Sequence, residues 1–326
     1  MRAVVYRRFG GPEVLALEHV PPPSPAPGEV LVAVEAAGLN PKDVLVRKGK
    51  FTALSGAHFP RIPGYDFAGR VLSCPPDAGC APGDDVYGMV QDWRGGTCAE
   101  LVCVPFDQLA PRPSSLSAVE AAAAPLAALT ALQGLRDQLR VRPGDRVLIH
   151  GASGGVGSFA VQVARLLGAR VVATCSPRNA DRMRSLGAHE VIDYHRVDPC
   201  ETGPYDAFFD VFGNRPFARA RAALRPRHGT YCTTVPRATS VAWETLARGG
   251  LQRRRRLVIV ESRRADLEVL SRWFERGHLT SPVDRVVPMG PPAAPHAYLE
   301  TKRARGKVVV DIAVGDGQGD KHDDAP

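Results

Sequence analysis

The chain has 326 residues, with 42 Lys plus Arg against 34 Asp plus Glu for a formal net charge of +8, and is 44% hydrophobic and 23% charged. That length suits about two domains, and the composition excludes fibrous and disordered classes. No run of about 18 apolar residues predicts a membrane span, and the opening, MRAVVYRRFGGPEVLAL, lacks the apolar core of a secretory signal, so a cytoplasmic protein is expected.

In chain order, VVY, EVLVAVEAAG, DFAGRVLSC, DVYGMV and AELVCV read as strands separated by Pro and Gly turns, the pattern of a β sandwich or barrel. Seven cysteines, Cys74, Cys80, Cys98, Cys103, Cys175, Cys200 and Cys232, are scattered and odd in number, unlike a disulfide framework. CPPDAGC pairs two of them without the second pair a structural zinc requires, so reduced thiols are expected. From SAVEAAAAPLAALTALQGLRD the texture turns helical. RVLIHG, RVVATC, EVIDY, YDAFFDVFG and GTYCTTV then alternate with helix-like pieces, which predicts a parallel sheet of βαβ units. Arg253 to Arg256 lead into the apolar LVIV with no interleaved aromatics, so they read as an exposed loop entering a strand, and a nucleic-acid partner is not expected. A helix through ADLEVLSRWFERG and a strand KVVVDI follow, and the tail GDGQGDKHDDAP has too little to bury to be ordered.

The segment HGASGGVGSFAVQVARLLGA gives strand end, glycine turn and helix, with Val156, Phe159, Ala160, Val163 and Leu167 along one helix face. Gly154 and Gly157 let the backbone approach a pyrophosphate, which then sits on free N–H groups at the helix start. Ala152 stands where the first glycine of the fingerprint is usual, with Gly151 before it. About 20 residues on, where NAD sites carry an acid for the ribose hydroxyls, the chain has Cys175, Ser176, Pro177, Arg178 and Asn179. A hydroxyl and a guanidinium without a carboxylate suit a phosphate, so NADPH is the expected cofactor. Arg178 also reads as a solvated loop arginine.

MRAVVYRRFGGPEVL, AAGLNPKDVLVRKGKF, PGYDFAGRV, GGTCAELVCVP, AAAAPLAALTAL, the glycine segment, SLGAHEVIDY and HAYLETKRARGKVVV together resemble the zinc-independent quinone oxidoreductase and enone (enoyl) reductase group of the medium-chain dehydrogenase/reductase superfamily. The resemblance implies an α/β chain with a GroES-like β-rich catalytic domain in two segments, 1–122 and 259–314. A Rossmann domain, 123–258, lies between them, and 315–326 forms a disordered tail. It also implies a cleft at the domain junction and a homodimer. Near the places of a catalytic zinc's ligands the chain reads GLNPKD, Gly64-Tyr65-Asp66 and AAAAPLA, without the Cys and His that zinc requires. Lacking a Lewis acid, hydride transfer to a polarised C=C bond or a quinone is better supported than reduction of a simple ketone.

By the same resemblance, Ser153, Gly154, Gly155, Val156 and Gly157 form the cofactor loop, and Ser176, Arg178, Asn179 and Tyr194 meet the adenosine phosphate. Asn40 and Thr130 face the nicotinamide ribose and ring, Phe212, Gly213, Thr234 and Val235 form the wall beside them, and Lys307 lies near the cofactor. Tyr194 reads alternatively as a core tyrosine, Thr130 as bonded to its own helix, and Lys307 as a solvated turn lysine. The proton donor is left open. Some relatives have a tyrosine where this chain has Phe51, and Lys42, Lys50, Tyr65 and solvent remain as sources. An NADPH-dependent enone reductase is the first reading, with a quinone reductase, a secondary-metabolite enone reductase and a non-catalytic NADPH-binding sensor or RNA binder as alternatives.

Overall fold

A computed structural model describes residues 1–93, 95–235 and 254–313. The expected tail and Arg253 lie outside the described residues. The chain divides into two units, one of Met1–Leu126, Ser262–Glu275 and the chain from Val283 on, the other of Ala127–Glu261 and Arg276–Pro282.

Period-two alternation builds the first unit. In β3 (Glu29–Leu39), Val30, Val32 and Val34 point into the core while Glu29, Leu31 and Ala33 are half-buried, as the two faces of a strand require. An antiparallel hairpin-like pair, β1 (Arg2–Tyr6) and β2 (Leu15–His19), precedes it. After it come β4 (Asp66–Ser73), β5 (Asp85–Met89), β6 (Leu101–Pro105) and β7 (Leu109–Pro111), and late in the chain β14 (Val283–Pro288) and β15 (Lys307–Asp311). The sheet order is β14-β15-β3-β4-β5-β7, with β6 also on β3. Phe67, Val71, Val86, Val104, Val308 and Val310 close the core around β3. Each such burial contributes about 1.5–3 kcal/mol. Because β15 pairs with β3, Val308 opposite Leu39, residue 307 lies beside residue 40.

Continuous apolar runs build the second unit: β8 (Arg146–His150), β9 (Arg170–Cys175), β10 (Glu190–Asp193), β11 (Ala207–Asp210), β12 (Thr230–Thr233) and β13 (Arg255–Leu257). They form a parallel sheet in the order β10-β9-β8-β11-β12-β13. Strands such as VLIH, VVATC and AFFD are buried along their length, as a sheet covered on both faces demands. The strand order reverses at β8, between β9 and β11, and ligands of such sheets bind outside the carboxyl ends at that point.

Three boundaries differ from those read in the sequence. The first break falls after Leu126 and the second after Glu261, and Arg276–Pro282 goes to the parallel-sheet unit rather than to one continuous return segment. Gln162, buried on the helix Gly155–Leu166, explains the last: its Oε1 accepts from Thr280 N (2.8 Å) and its Nε2 donates to Thr280 O (3.1 Å). The arginine run is also no exposed loop. Arg254, Arg255 and Arg256 are half-buried, β13 starts inside the run, and Arg254 donates to the carbonyls of Gly229 (2.8 Å) and Arg225 (3.0 Å). Among the described residues no helix is long and apolar enough to cross a membrane.

Candidate functional site

Strand β8 ends at His150, and the chain turns through Gly151 (φ +81°), Ala152, Ser153 and Gly154 into the helix Gly155–Leu166. The first N–H groups of a helix, here those of Gly155, Val156 and Gly157, have no intrahelical acceptor, and the helix dipole adds positive charge at this end. Gly157 packs on the turn: a Cβ there would overlap Gly151 O and lie 2.6 Å from Ala152 Cα. The helix therefore starts close under the turn, and Ser153 to Val156 stay half-exposed. This cradle suits a dinucleotide pyrophosphate.

At the next strand, Asp193 of β10 is registered on Cys175 of β9, which puts the residues that follow, Tyr194 and Ser176, at neighbouring strand ends. Asn179 is buried and donates through Nδ2 to Ser176 Oγ (3.2 Å). Arg178 is exposed and has no hydrogen bond or ion pair with another described residue. Tyr194 is 42% exposed, its ring 4.3 Å from that of His195, so it is a surface aromatic and not a core tyrosine. The structure thus brings Ser176, Asn179 and Tyr194 to one rim.

At the reversal point lies a group the sequence reading did not single out. His150 is registered on Thr174 of β9 and on Asp210 of β11. Thr174 Oγ1 accepts from Gly151 N (3.2 Å) and is hydrogen-bonded to His150 Nδ1 (2.8 Å), and His150 Nε2 is hydrogen-bonded to Asn214 Oδ1 (2.8 Å). Burial lowers the His150 pKa, which favours the neutral ring. Asp210 accepts from Gly213 N (2.7 Å) and from the Tyr231 hydroxyl (2.8 Å). Gly213 has φ +69°, and a Cβ there would strike the Val235 side chain. The Thr234 hydroxyl is spent on Val211 O (2.9 Å), Val235 N donates to Thr233 Oγ1 (3.2 Å), and Phe212 is exposed. Phe212, Gly213, Thr234 and Val235 are therefore adjacent. Thr130 is buried on the helix Pro125–Leu132.

The first unit carries a buried polar network. Asp66 is fully buried. Its Oδ1 accepts from Leu126 N (2.7 Å), and its Oδ2 from Asn40 Nδ2 (2.9 Å) and Lys307 Nζ (2.8 Å). Lys307 also donates to Asn40 Oδ1, and the other Asn40 amide proton goes to Gly38 O (3.3 Å). Asp43 accepts from Asn40 N and Gly64 N, each 2.7 Å, while burial pushes its carboxyl up to about 6. This corrects one reading: Lys307, 3% exposed, is not a solvated turn lysine, because buried Asp66 requires a counter-charge and Lys307 supplies it. Asn40 has both amide protons engaged inside the unit.

Lys42 stands on the first turn of the helix Pro41–Arg47, with Nζ 3.6 Å from the ring centroid of Tyr65, 4.6 Å from that of Trp93 and 3.4 Å from Asp92 O. Burial lowers its pKa to about 8. The Tyr65 hydroxyl donates to Trp93 O (3.1 Å), and burial raises its pKa. Phe51 packs on Trp93 at 5.0 Å between centroids, and Lys50 is exposed.

Residues 26–114 match the alcohol dehydrogenase GroES-like domain family, and residues 186–310 the zinc-binding dehydrogenase family. A trans-enoyl reductase of Aspergillus terreus is 33% identical over 318 residues, covering 88% of this chain and 87% of the relative. The structure of the quinone oxidoreductase from Coxiella burnetii superposes with a TM-score of 0.87 at 32% identity, covering 96% of this chain and 99% of that one. A mycobacterial protein complexed with NADPH superposes with a TM-score of 0.80 at 27% identity, covering 96% and 100%. The donor set here does not suit the zinc in the second family's name. Asp66 is already paired with Lys307, and among the described residues no group of three or more His, Cys, Asp or Glu could hold a metal ion.

Proposed function

Because the chain belongs to the medium-chain dehydrogenase/reductase superfamily, in its quinone and enoyl reductase group, we propose that it uses NADPH, without a metal, to reduce the activated C=C bond of an α,β-unsaturated carbonyl compound. It is an oxidoreductase with a nicotinamide cofactor. With its pyrophosphate held on the glycine turn, a reduced nicotinamide cofactor would supply a hydride. The chain's own task is to hold the cofactor, exclude water and direct donors to the charge that develops on the acceptor. The free N–H groups of Gly155, Val156 and Gly157 hold the pyrophosphate in this reading.

The observation that carries the reading is the pairing of that cradle with a metal-unsuited donor set around Asp66. A conjugated acceptor spreads the incoming charge over carbon and oxygen and needs no Lewis acid, whereas a simple ketone concentrates it on one oxygen. The choice of NADPH rests on the rim where Ser176, Arg178 and Asn179 follow β9 and no carboxylate stands in that segment to repel a phosphate.

The test is NADPH consumption by metal-stripped protein against matched panels of enones, enoyl thioesters and quinones, with the products identified. A saturated carbonyl product from an enone is the expected result. Turnover confined to quinones would make the chain a quinone reductase, and tight NADPH binding with no turnover on any panel would make it a binding protein. A second expectation follows from the phosphate rim. Ser176→Ala combined with Arg178→Ala should raise KM for NADPH about 100-fold, the loss of two charge-assisted hydrogen bonds of roughly 1.5 kcal/mol each, and leave KM for NADH nearly unchanged. Equal changes for the two cofactors would remove the phosphate assignment.

A further inference from the structure

We propose that Cys74 and Cys80 are an oxidisable thiol pair, which a peroxide converts to a disulfide across the loop between β4 and β5.

Of the seven thiols only Cys74, Cys80 and Cys103 escape full burial, and Cys103 is on β6, which β3 separates from β4. Cys74 and Cys80 instead meet across a closed loop of the first unit. Ala78 N donates to Pro75 O (3.1 Å) and turns the chain, and Gly79 continues the reversal with φ +64°. Ala78 is fully buried and fixes the turn in the core. The Cys74 thiol then reaches residue 80, its Sγ donating to Cys80 O at 3.1 Å.

A clamp holds the loop in this form. Arg264, at the start of the helix Arg264–Glu275, donates through Nη1 to Ala78 O (2.5 Å) and through Nη2 to Gly79 O (2.8 Å). Its Nε is bonded to Glu268 (3.2 Å). With residues 78 and 79 held, little loop entropy is left to lose when the sulfurs join.

Burial first, and then the neighbouring Cys74 thiol, push the Cys80 thiol up to about 11, against the pull of the Arg264 charge. Little of it is thiolate at neutral pH, so the pair responds slowly, to sustained oxidant and not to a brief pulse.

The chemistry needs one molecule of hydrogen peroxide. One thiolate attacks a peroxide oxygen; an S–O bond forms, the O–O bond breaks, and the departing hydroxide takes up the thiol's proton as water, leaving a sulfenic acid. The second thiolate attacks that sulfur. The S–S bond forms, the S–O bond breaks, and hydroxide leaves with the second proton as water. Two thiols have then lost two electrons, and the peroxide has become two waters.

Trypsin releases residues 71–94 as one peptide that holds Cys74 and Cys80 and no other cysteine. After the folded protein is treated with hydrogen peroxide, that peptide should be lighter by two hydrogens and should resist alkylation until dithiothreitol restores it. Closing the short ring from Cys74 to Cys80 should also raise the melting temperature by about 5 °C over that of the reduced protein. Cys74→Ser and Cys80→Ser should each abolish both changes, and if a variant fails to fold, the mass of the wild-type peptide still decides.

A wild-type peptide that keeps two alkylatable thiols, or that gains oxygen on a cysteine without losing two hydrogens, would overturn the proposal. A disulfide joining two chains, seen as a dimer on a non-reducing gel, would overturn it as well. The assay uses neither cofactor nor acceptor, so its outcome is independent of the reductase reading.

Discussion

Lys307→Met is expected to destabilise the first unit by about 3–5 kcal/mol, the usual cost of removing one partner from a buried ion pair, and to lower its melting temperature by about 10 °C. Asp66 has no solvent contact, and Lys307 is the only cation bonded to it among the described residues. With the ammonium gone, the carboxylate keeps its bonds from Asn40 and Leu126 but loses the charge that offsets its desolvation. Methionine fills most of the lysine stem's volume, so the loss reports charge and not a cavity. The double variant Lys307→Met with Asp66→Asn should recover much of the stability, because it removes the uncompensated charge as well as its partner. Denaturant unfolding of the two proteins decides the matter. If the single variant lost less than about 1 kcal/mol, the pair would be no more than an exposed bridge in its energetics.

Much of this was legible wherever the information is local. The strand β3 announces itself in EVLVAVEAAGL because alternate residues must face a core, and β8, β9 and β11 do so in VLIH, VVATC and AFFD because a parallel sheet covered on both faces needs unbroken apolar runs. The glycine turn is legible for the same reason: its constraints lie within seven residues. The network around Asp66 is not local. Lys307 and Asn40 are 267 residues apart, and only the antiparallel pairing of β15 with β3 brings them together. Reading lysine as exposed by default fails there, since the default ignores the buried carboxylate that the fold supplies.

Lys42 was visible as a candidate, but its setting was not, because Trp93 and Asp92 come from a loop 50 residues on. His150 and Asp210 did leave a signal. Each is a polar residue closing an apolar run, and such a residue must either be paired or sit at a functional edge. The start of β13 among arginines was missed because long side chains can lay apolar stems on a protein surface while their heads reach carbonyls, as Arg254 does.

Gly157→Ala is expected to weaken binding of NADPH and NADH alike, by about 30-fold, because it acts on the pyrophosphate that both share. The new Cβ would overlap Gly151 O and approach Ala152 Cα to 2.6 Å and Ala152 C to 2.7 Å. All three are backbone atoms, so no side-chain rotation relieves the clash and the turn must move off the helix. Overpacking of this kind costs about 1–3 kcal/mol, and that cost is paid in affinity if the turn has to return to present its N–H groups. Gly154→Ala separates the two ways a methyl can interfere. Its nearest neighbour would be Gly151 O at 3.8 Å and its φ is −80°, so the fold accepts the methyl without strain. Any loss of cofactor affinity in that variant, at unchanged melting temperature, measures how closely the pyrophosphate approaches the backbone. Fluorescence titration of both cofactors against both variants would show a clash effect at Gly157 and an approach effect at Gly154. Full affinity in the Gly157→Ala protein would mean that the helix start is not the anion site.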